Sequence, residues 1–134
     1  MENDKESKGS VEIQIGREHY RTQVKMARHM LIIDEPAAVG GDEGPAPQEL
    51  LLASVGGCTA ITLRMYIDRK MWAVDQITVT ADLFKAEGLT TIKLKLAFEG
   101  DLSVEQMQRL VQIADACPIH KMLTGKIEIE TALK

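Results

Sequence analysis

The chain has 134 residues and a mass of 14.8 kDa, enough for one domain with a sizeable core and too little for two. Its 45% apolar and 27% charged content excludes a disordered chain, and 4% aromatics argues against a stacked-ring platform for oligonucleotides. A balance of 16 basic against 20 acidic residues gives a net charge of −4, which argues against a phosphate-backbone binder.

Residues 1–10 are charged and lack an apolar run, so they read as a disordered tail rather than a secretory signal, with a single domain over 11–134. Val11–Gly16 alternates apolar and polar residues as a half-buried strand does; Tyr20–Met26 and His29–Ile33 continue a meander. The proline- and glycine-rich stretch Asp34–Pro47 predicts a loop, read as a mobile flap or a dimer contact. Pro47 suits the first turn of a helix running to about Arg69. Gln76–Phe84 and Thr90–Phe98 predict a hairpin around Lys85–Gly88. Ser103 and Gln106 form a capping-box pattern ahead of a helix whose apolar face is Val104, Met107, Leu110, Val111 and Ala114. Pro118 starts a short second helix to Leu123, and Ile127–Leu133 alternates as a closing strand. The fold class expected is α+β, with an N-terminal β-meander, a long buried helix, further strands and a second helix.

Leu50–Leu63 is uncharged, short of the ~20 residues a membrane span requires, and bounded by Glu49 and Arg64. Its apolar residues surround the helix axis, so it should be buried on most sides. Gly56-Gly57 is tolerated in a helix where another backbone packs close. These features predict a homodimer with this helix at its centre; a second apolar layer from the same chain is the alternative. The compartment expected is the cytoplasm, with neither a membrane nor a nucleic acid as partner.

The two cysteines carry the chemistry. Cys58 sits mid-helix directly after the two glycines, and Cys117 precedes Pro118 at the N-cap of the short helix, where free N–H groups favour a thiolate. Their wide separation in sequence is neither a Cys-x-x-Cys redox motif nor a zinc knuckle. In a reducing compartment they form either a redox pair or two inert buried thiols.

Pro47-Gln-Glu-Leu-Leu-Leu-Ala-Ser-Val-Gly-Gly-Cys58-Thr-Ala, together with Cys117-Pro-Ile-His120, resembles the OsmC/Ohr family of thiol peroxidases. The likeness runs from Asp34 through Lys70 and again over Ala114–Leu123, and is nearer to a subgroup that includes domains fused behind α/β-hydrolases, here as the OsmC-like domain alone. The resemblance implies an intertwined α+β homodimer that reduces small organic hydroperoxides. Cys58 would attack the O–O bond and become a sulfenic acid, and Cys117 would resolve it to a disulfide. No cofactor is implied beyond an external dithiol reductant, lipoyl or thioredoxin-like. Leu51, Val55 and Met65 would supply an apolar approach for the peroxide.

One position departs from the family pattern. The peroxidases place a Glu directly after the proline, where it orients an arginine onto the thiolate; here that slot is Gln48, and Glu49 follows it. At about 100° per residue Glu49 points to roughly the opposite helix face from Cys58, whereas Gln48 lies about 80° away. A neutral Gln cannot hold an arginine by a charge-assisted pair. Glu49 then acts across the dimer or is a solvated first-turn acid. Arg17, Arg21 and Arg28 lie in the meander, where the family keeps its arginine, and Arg28 is the chosen counterpart. The departure leaves two rival readings open: a non-catalytic module that binds an apolar small molecule or partner, and a thiol–disulfide exchange protein.

Other motifs are weaker. Cys117-x-x-His120 has metal-like spacing but lacks a second pair, and no metal is expected. Asp34, Glu35, Asp42 and Glu43 lack EF-hand spacing, and Gly40-Gly41 lacks a nucleotide-loop context.

Overall fold

A computed structural model describes residues 6–134. Residues 1–5 of the expected tail lie outside the described residues, and residues 6–10 are exposed without regular structure. The fold is α+β, in the order β1 (Glu12–Ile15), β2 (Thr22–Met26), β3 (His29–Ile33), α1 (Pro47–Lys70), β4 (Val74–Ala86), β5 (Leu89–Gly100), α2 (Val104–Ala114) and α3 (Pro118–Thr124). Two compact units divide it, one ending at Leu50 and the other beginning at Leu51, so α1 starts in the first and continues through the second.

The first unit is an antiparallel sheet in the order β1-β2-β3. Val24 in β2 is buried, whereas Ile13 and Ile15 of β1 are exposed. The alternation in β1 therefore yields a strand but not the half-buried one expected: pairing with β2 satisfies its backbone without covering its apolar face. The loop after β3 is tied down rather than free. Asp34, only 1% exposed, accepts backbone N–H groups from Glu35 at 2.7 Å, from Tyr20 and Glu43 at 3.2 Å, and from Gly41 at 3.3 Å. Its own N–H donates to Pro45 O, and Asp42 N–H returns to Glu35 O. Gly44 passes so close to the Ile32 carbonyl that a side chain there would collide with it. The reading of this loop as a mobile flap is corrected by that network.

The second unit is built on the β4–β5 hairpin, whose two-residue turn Glu87-Gly88 has φ of 43° and 79°. Positive φ at both central residues suits the turn type that matches strand twist, and glycine takes its share without strain. On this hairpin rests a core of Leu63 and Ile67 from α1, Val74, and Leu110 and Ala114 from α2, flanked by Ile77, Leu96 and Phe98. Ser103 caps α2 as expected: its hydroxyl accepts Gln106 N–H while the Gln106 side chain accepts Ser103 N–H. The buried side of α2 is narrower than the heptad-like stripe suggests. Leu110 and Ala114 are buried, but Val104 and Val111 stay exposed.

By length and composition alone α1 satisfies the test for a membrane span, with mean hydropathy 1.5 over an 18-residue window. A line of its residues (Val55, Thr59, Leu63 and Ile67) is nevertheless buried, as in a core helix. Gly56 meets Val79 and Ala81 only at ordinary van der Waals distance, and nothing lies within 4 Å of where a Gly57 Cβ would stand. The close backbone packing expected at this glycine pair is therefore not found among the described residues.

The expected closing strand Ile127–Leu133 is absent. These residues carry no regular structure, and Ile129 is 87% exposed. An alternating sequence becomes a strand only when a neighbour accepts its backbone hydrogen bonds. No described strand pairs with this segment.

Candidate functional site

The second unit brings the two cysteines together. Cys58 is half-buried in α1, two turns into the unit, and Cys117 is fully buried between α2 and α3. Both are free thiols, and each lies close enough to the other to shift its ionisation. The local sequence explains Cys117's position. α2 ends with Asp115 as its C-cap, and Pro118 fixes the first residue of α3, leaving Cys117 as the N-cap. Its Sγ accepts His120 N–H at 3.3 Å, the role a Ser or Asp oxygen plays at other helix starts.

The donors divide the pair into unequal partners. Burial pushes the Cys117 thiol up, but the neighbouring Cys58 thiol, His120 N–H, Thr59 hydroxyl and Ile119 N–H together outweigh it, so Cys117 falls below the usual thiol range. Cys58 moves the other way. Burial raises it, and the hydrogen bond to Cys117 and that sulfur's charge raise it further, against smaller pulls from Ile119 N–H and the Thr62 hydroxyl. The two thiols are thus pushed in opposite directions, and Cys117 is the sulfur whose ionised form is the more favoured. Thr59 Oγ1 is fully buried and has no partner at conventional hydrogen-bond geometry; the charge it acts on is the Cys117 sulfur.

Thr59 and Thr62 are the members of this site that the sequence reading passes over. The available signal is helical spacing: Thr62 follows Cys58 by one turn, and Thr59 is a polar residue inside an otherwise apolar run. The residues expected to support the thiols have other surroundings. Glu49 Oε1 accepts Ala46 N–H at 2.9 Å, so its carboxylate closes the start of α1 in the manner of a capping-box glutamate. Gln48 beside it is exposed. Arg28 is exposed in the two-residue turn between β2 and β3, and Arg21 pairs with Glu43 at 3.0 Å.

A cavity of about 610 Å³ in the second unit is lined by residues one helical turn from each cysteine, Val55 and His120, though by neither cysteine itself. Leu51 and Val55 of α1, Ile92, Leu94 and Leu96 of β5 and Leu123 of α3 make its wall apolar. Val55 and Leu51 lie one and two turns before Cys58 on the same helix side, and His120, which also lines the cavity, is bonded through its backbone to Cys117. Of the apolar residues expected to guide a substrate, Leu51 and Val55 line this cavity, whereas Met65 is 58% exposed and is not part of its wall. Among the described residues no three His, Cys, Asp or Glu side chains gather as a metal site.

Comparison with known proteins places the architecture. The OsmC-like protein of Mycoplasma pneumoniae superposes with a TM-score of 0.76 at 16% identity, covering 90% of each chain. OhrB of Bacillus subtilis, an organic hydroperoxide resistance protein, gives 0.60 at 25% identity over 93% of this chain and 98% of its own. An organic hydroperoxide resistance protein from Elizabethkingia anophelis gives 0.63 at 20% identity, with 92% and 94% covered. No curated protein sequence matches the chain. Residues 40–132, which hold both cysteine motifs, match the family model described as OsmC-like protein, and the chain belongs to that family.

Proposed function

We propose that this protein reduces organic hydroperoxides with its two thiols. The observation that carries the reading is the neighbouring pair Cys58 and Cys117, each shifting the other's ionisation, within a turn of residues that line an apolar cavity. Two of the similar structures are organic hydroperoxide resistance proteins, which supports the same assignment. Cys58 is the attacking sulfur because it is the more accessible of the two. It reaches its thiolate by losing its proton to Cys117, the sulfur whose ionised form is the more favoured. Its sulfur then takes the terminal oxygen of the peroxide: an S–O bond forms, the O–O bond breaks, and the alcohol departs once its oxygen gains a proton. Cys117 next displaces hydroxide from the Cys58 sulfenic acid, giving a disulfide and water with its own proton. An external dithiol, lipoyl or thioredoxin-like, returns both sulfurs to thiols.

The working form we propose is a cytoplasmic homodimer. Exposed apolar residues on α1 (Leu51, Ile61 and Met65) and the unpaired alternating segment Ile127–Leu133 are what a second copy would cover.

The test is direct. Reduced protein mixed with cumene hydroperoxide should lose both thiols and two hydrogens of intact mass, and Cys58→Ser should abolish consumption. Unchanged thiols in excess peroxide would instead favour a non-catalytic module that uses the cavity to bind an apolar ligand. Exposed Gln48, in the slot where the peroxidases carry an acid, is the feature that supports that second reading.

A further inference from the structure

The cavity beside the thiols is apolar over most of its wall, yet its lining includes two ionisable side chains, Asp115 and His120. They come from different elements: Asp115 is the C-cap of α2, and His120 is in the first turn of α3. His120 Nδ1 lies 3.8 Å from Asp115 Oδ1, an ion-pair distance that leaves Nε2 on the other side of the ring. The backbone N–H of the same histidine donates to Cys117 Sγ at 3.3 Å. The backbone of His120 is therefore tied to Cys117, while its ring lies beside a carboxylate. The remaining polar lining, Thr90 and Thr124, is uncharged, and the Thr124 hydroxyl is already bonded to the His120 carbonyl at 2.9 Å.

The chemistry of the proposed reaction lacks one proton. When a thiolate takes the terminal oxygen of an alkyl hydroperoxide, the other oxygen leaves as an alkoxide, a strong base that departs slowly unless protonated. Once Cys58 has attacked as a thiolate, the Cys117 proton is consumed when that sulfur expels water from the sulfenic acid. A separate acid at the cavity is required.

We propose that His120, oriented by Asp115, is the catalytic acid that protonates the leaving alkoxide as Cys58 attacks an alkyl hydroperoxide bound in this cavity. Protonated imidazole gives the Nε2 proton to the alkoxide as the O–O bond breaks; the products are alcohol, neutral imidazole and the Cys58 sulfenic acid, and solvent restores the imidazole proton. The inference rests on the peroxidase reading above.

A pair of oxidants isolates the role. Alkyl hydroperoxides expel a basic alkoxide, whereas a peracid expels a carboxylate that needs no proton. Single-turnover thiol loss should be measured for the full-length protein with cumene hydroperoxide and with peracetic acid. His120→Gln should slow the cumene hydroperoxide reaction by about 100-fold and the peracid reaction by less than about threefold. Asp115→Asn, which acts only through the ring, should show the same selectivity with a loss of about tenfold. Equal slowing with both oxidants, as a misfolded or merely mispositioned site would give, overturns the proposal, and so does no slowing with either. If the unsubstituted protein consumes no thiol with either oxidant, the peroxidase reading itself falls, and that result is distinct from a loss of selectivity in the variants.

Discussion

Asp34 in the first unit and Cys117 in the second are both buried acids whose ionised form is favoured by hydrogen-bond donors, but the donors differ in kind. Around Asp34 all four are backbone N–H groups, of Glu35, Glu43, Tyr20 and Gly41. They outweigh the upward push of burial and hold its carboxyl below the usual carboxylate range. None of the four can give up its proton, so the site is closed and its role is to fix a loop. Around Cys117 two donors are side chains, and the strongest is itself a thiol with an exchangeable proton. The same electrostatic arrangement is therefore structural in one place and chemical in the other, according to whether a donor can react.

Removing each acid should expose the difference, and the largest effect should be at Asp34. Asp34→Ala leaves several buried N–H groups without an acceptor, and the melting midpoint should fall by about 10 °C or more. Cys117→Ala orphans one backbone N–H and should lower it by only a few degrees, while ending disulfide formation. Similar losses from the two would break the comparison. The pH dependence has a definite sign. Because the folded carboxyl of Asp34 lies below its unfolded value, its stabilisation is complete above the ordinary carboxylate range and is lost as pH falls through the depressed folded value. Acid unfolding followed by circular dichroism should therefore lose part of its acid limb in Asp34→Asn.

This contrast also marks what the sequence makes legible. The capping box at Ser103, the proline-led start of α3 and the two-residue turn at Glu87-Gly88 depend on residues close together in the chain, and each element forms as its local pattern predicts. Cys117 as an N-cap was readable for the same reason. Asp34 was not: its four donors are spread from Tyr20 to Glu43, and an acidic, glycine-rich stretch looks the same whether it is loose or tied around one carboxylate. The segment Ile127–Leu133 fails in the opposite direction, since its alternation is a strand pattern whose partner the described strands do not supply. Glu49 is a first-turn acid whose local task was legible from its position: it accepts the Ala46 N–H at the helix start.

The thiol pair provides the second, smaller test. Absorbance of the thiolate followed against pH should give two steps, one below the ordinary thiol range and one above it, which belong to the pair rather than to single residues. Cys117→Ser removes the sulfur charge that raises Cys58, so the remaining thiol should ionise at lower pH than the upper step of the unsubstituted protein. A single step of two equivalents would mean that the sulfurs do not shift each other's ionisation, and Cys117 would lose its distinction from a closed site.

The smallest expected effect separates two neighbouring glycines, Gly56 and Gly57, about 100° apart around α1. Gly56 is buried against Val79 and Ala81, whereas among the described residues nothing stands within 4 Å of a Cβ at Gly57. In an isolated chain Gly57→Ala would relieve the backbone entropy cost of a helical glycine and stabilise the fold by about 1 kcal/mol. A homodimer centred on α1 reverses the sign, because the added methyl enters the contact between copies. Light scattering on dilution should then show the unsubstituted protein as a dimer, and Gly57→Ala should dissociate at a concentration about tenfold higher, a change of about 1.4 kcal/mol. A more stable variant with unchanged mass at every dilution would leave that side of α1 free. The exposed apolar residues Ile61 and Met65 would then have to be covered by something other than a second α1.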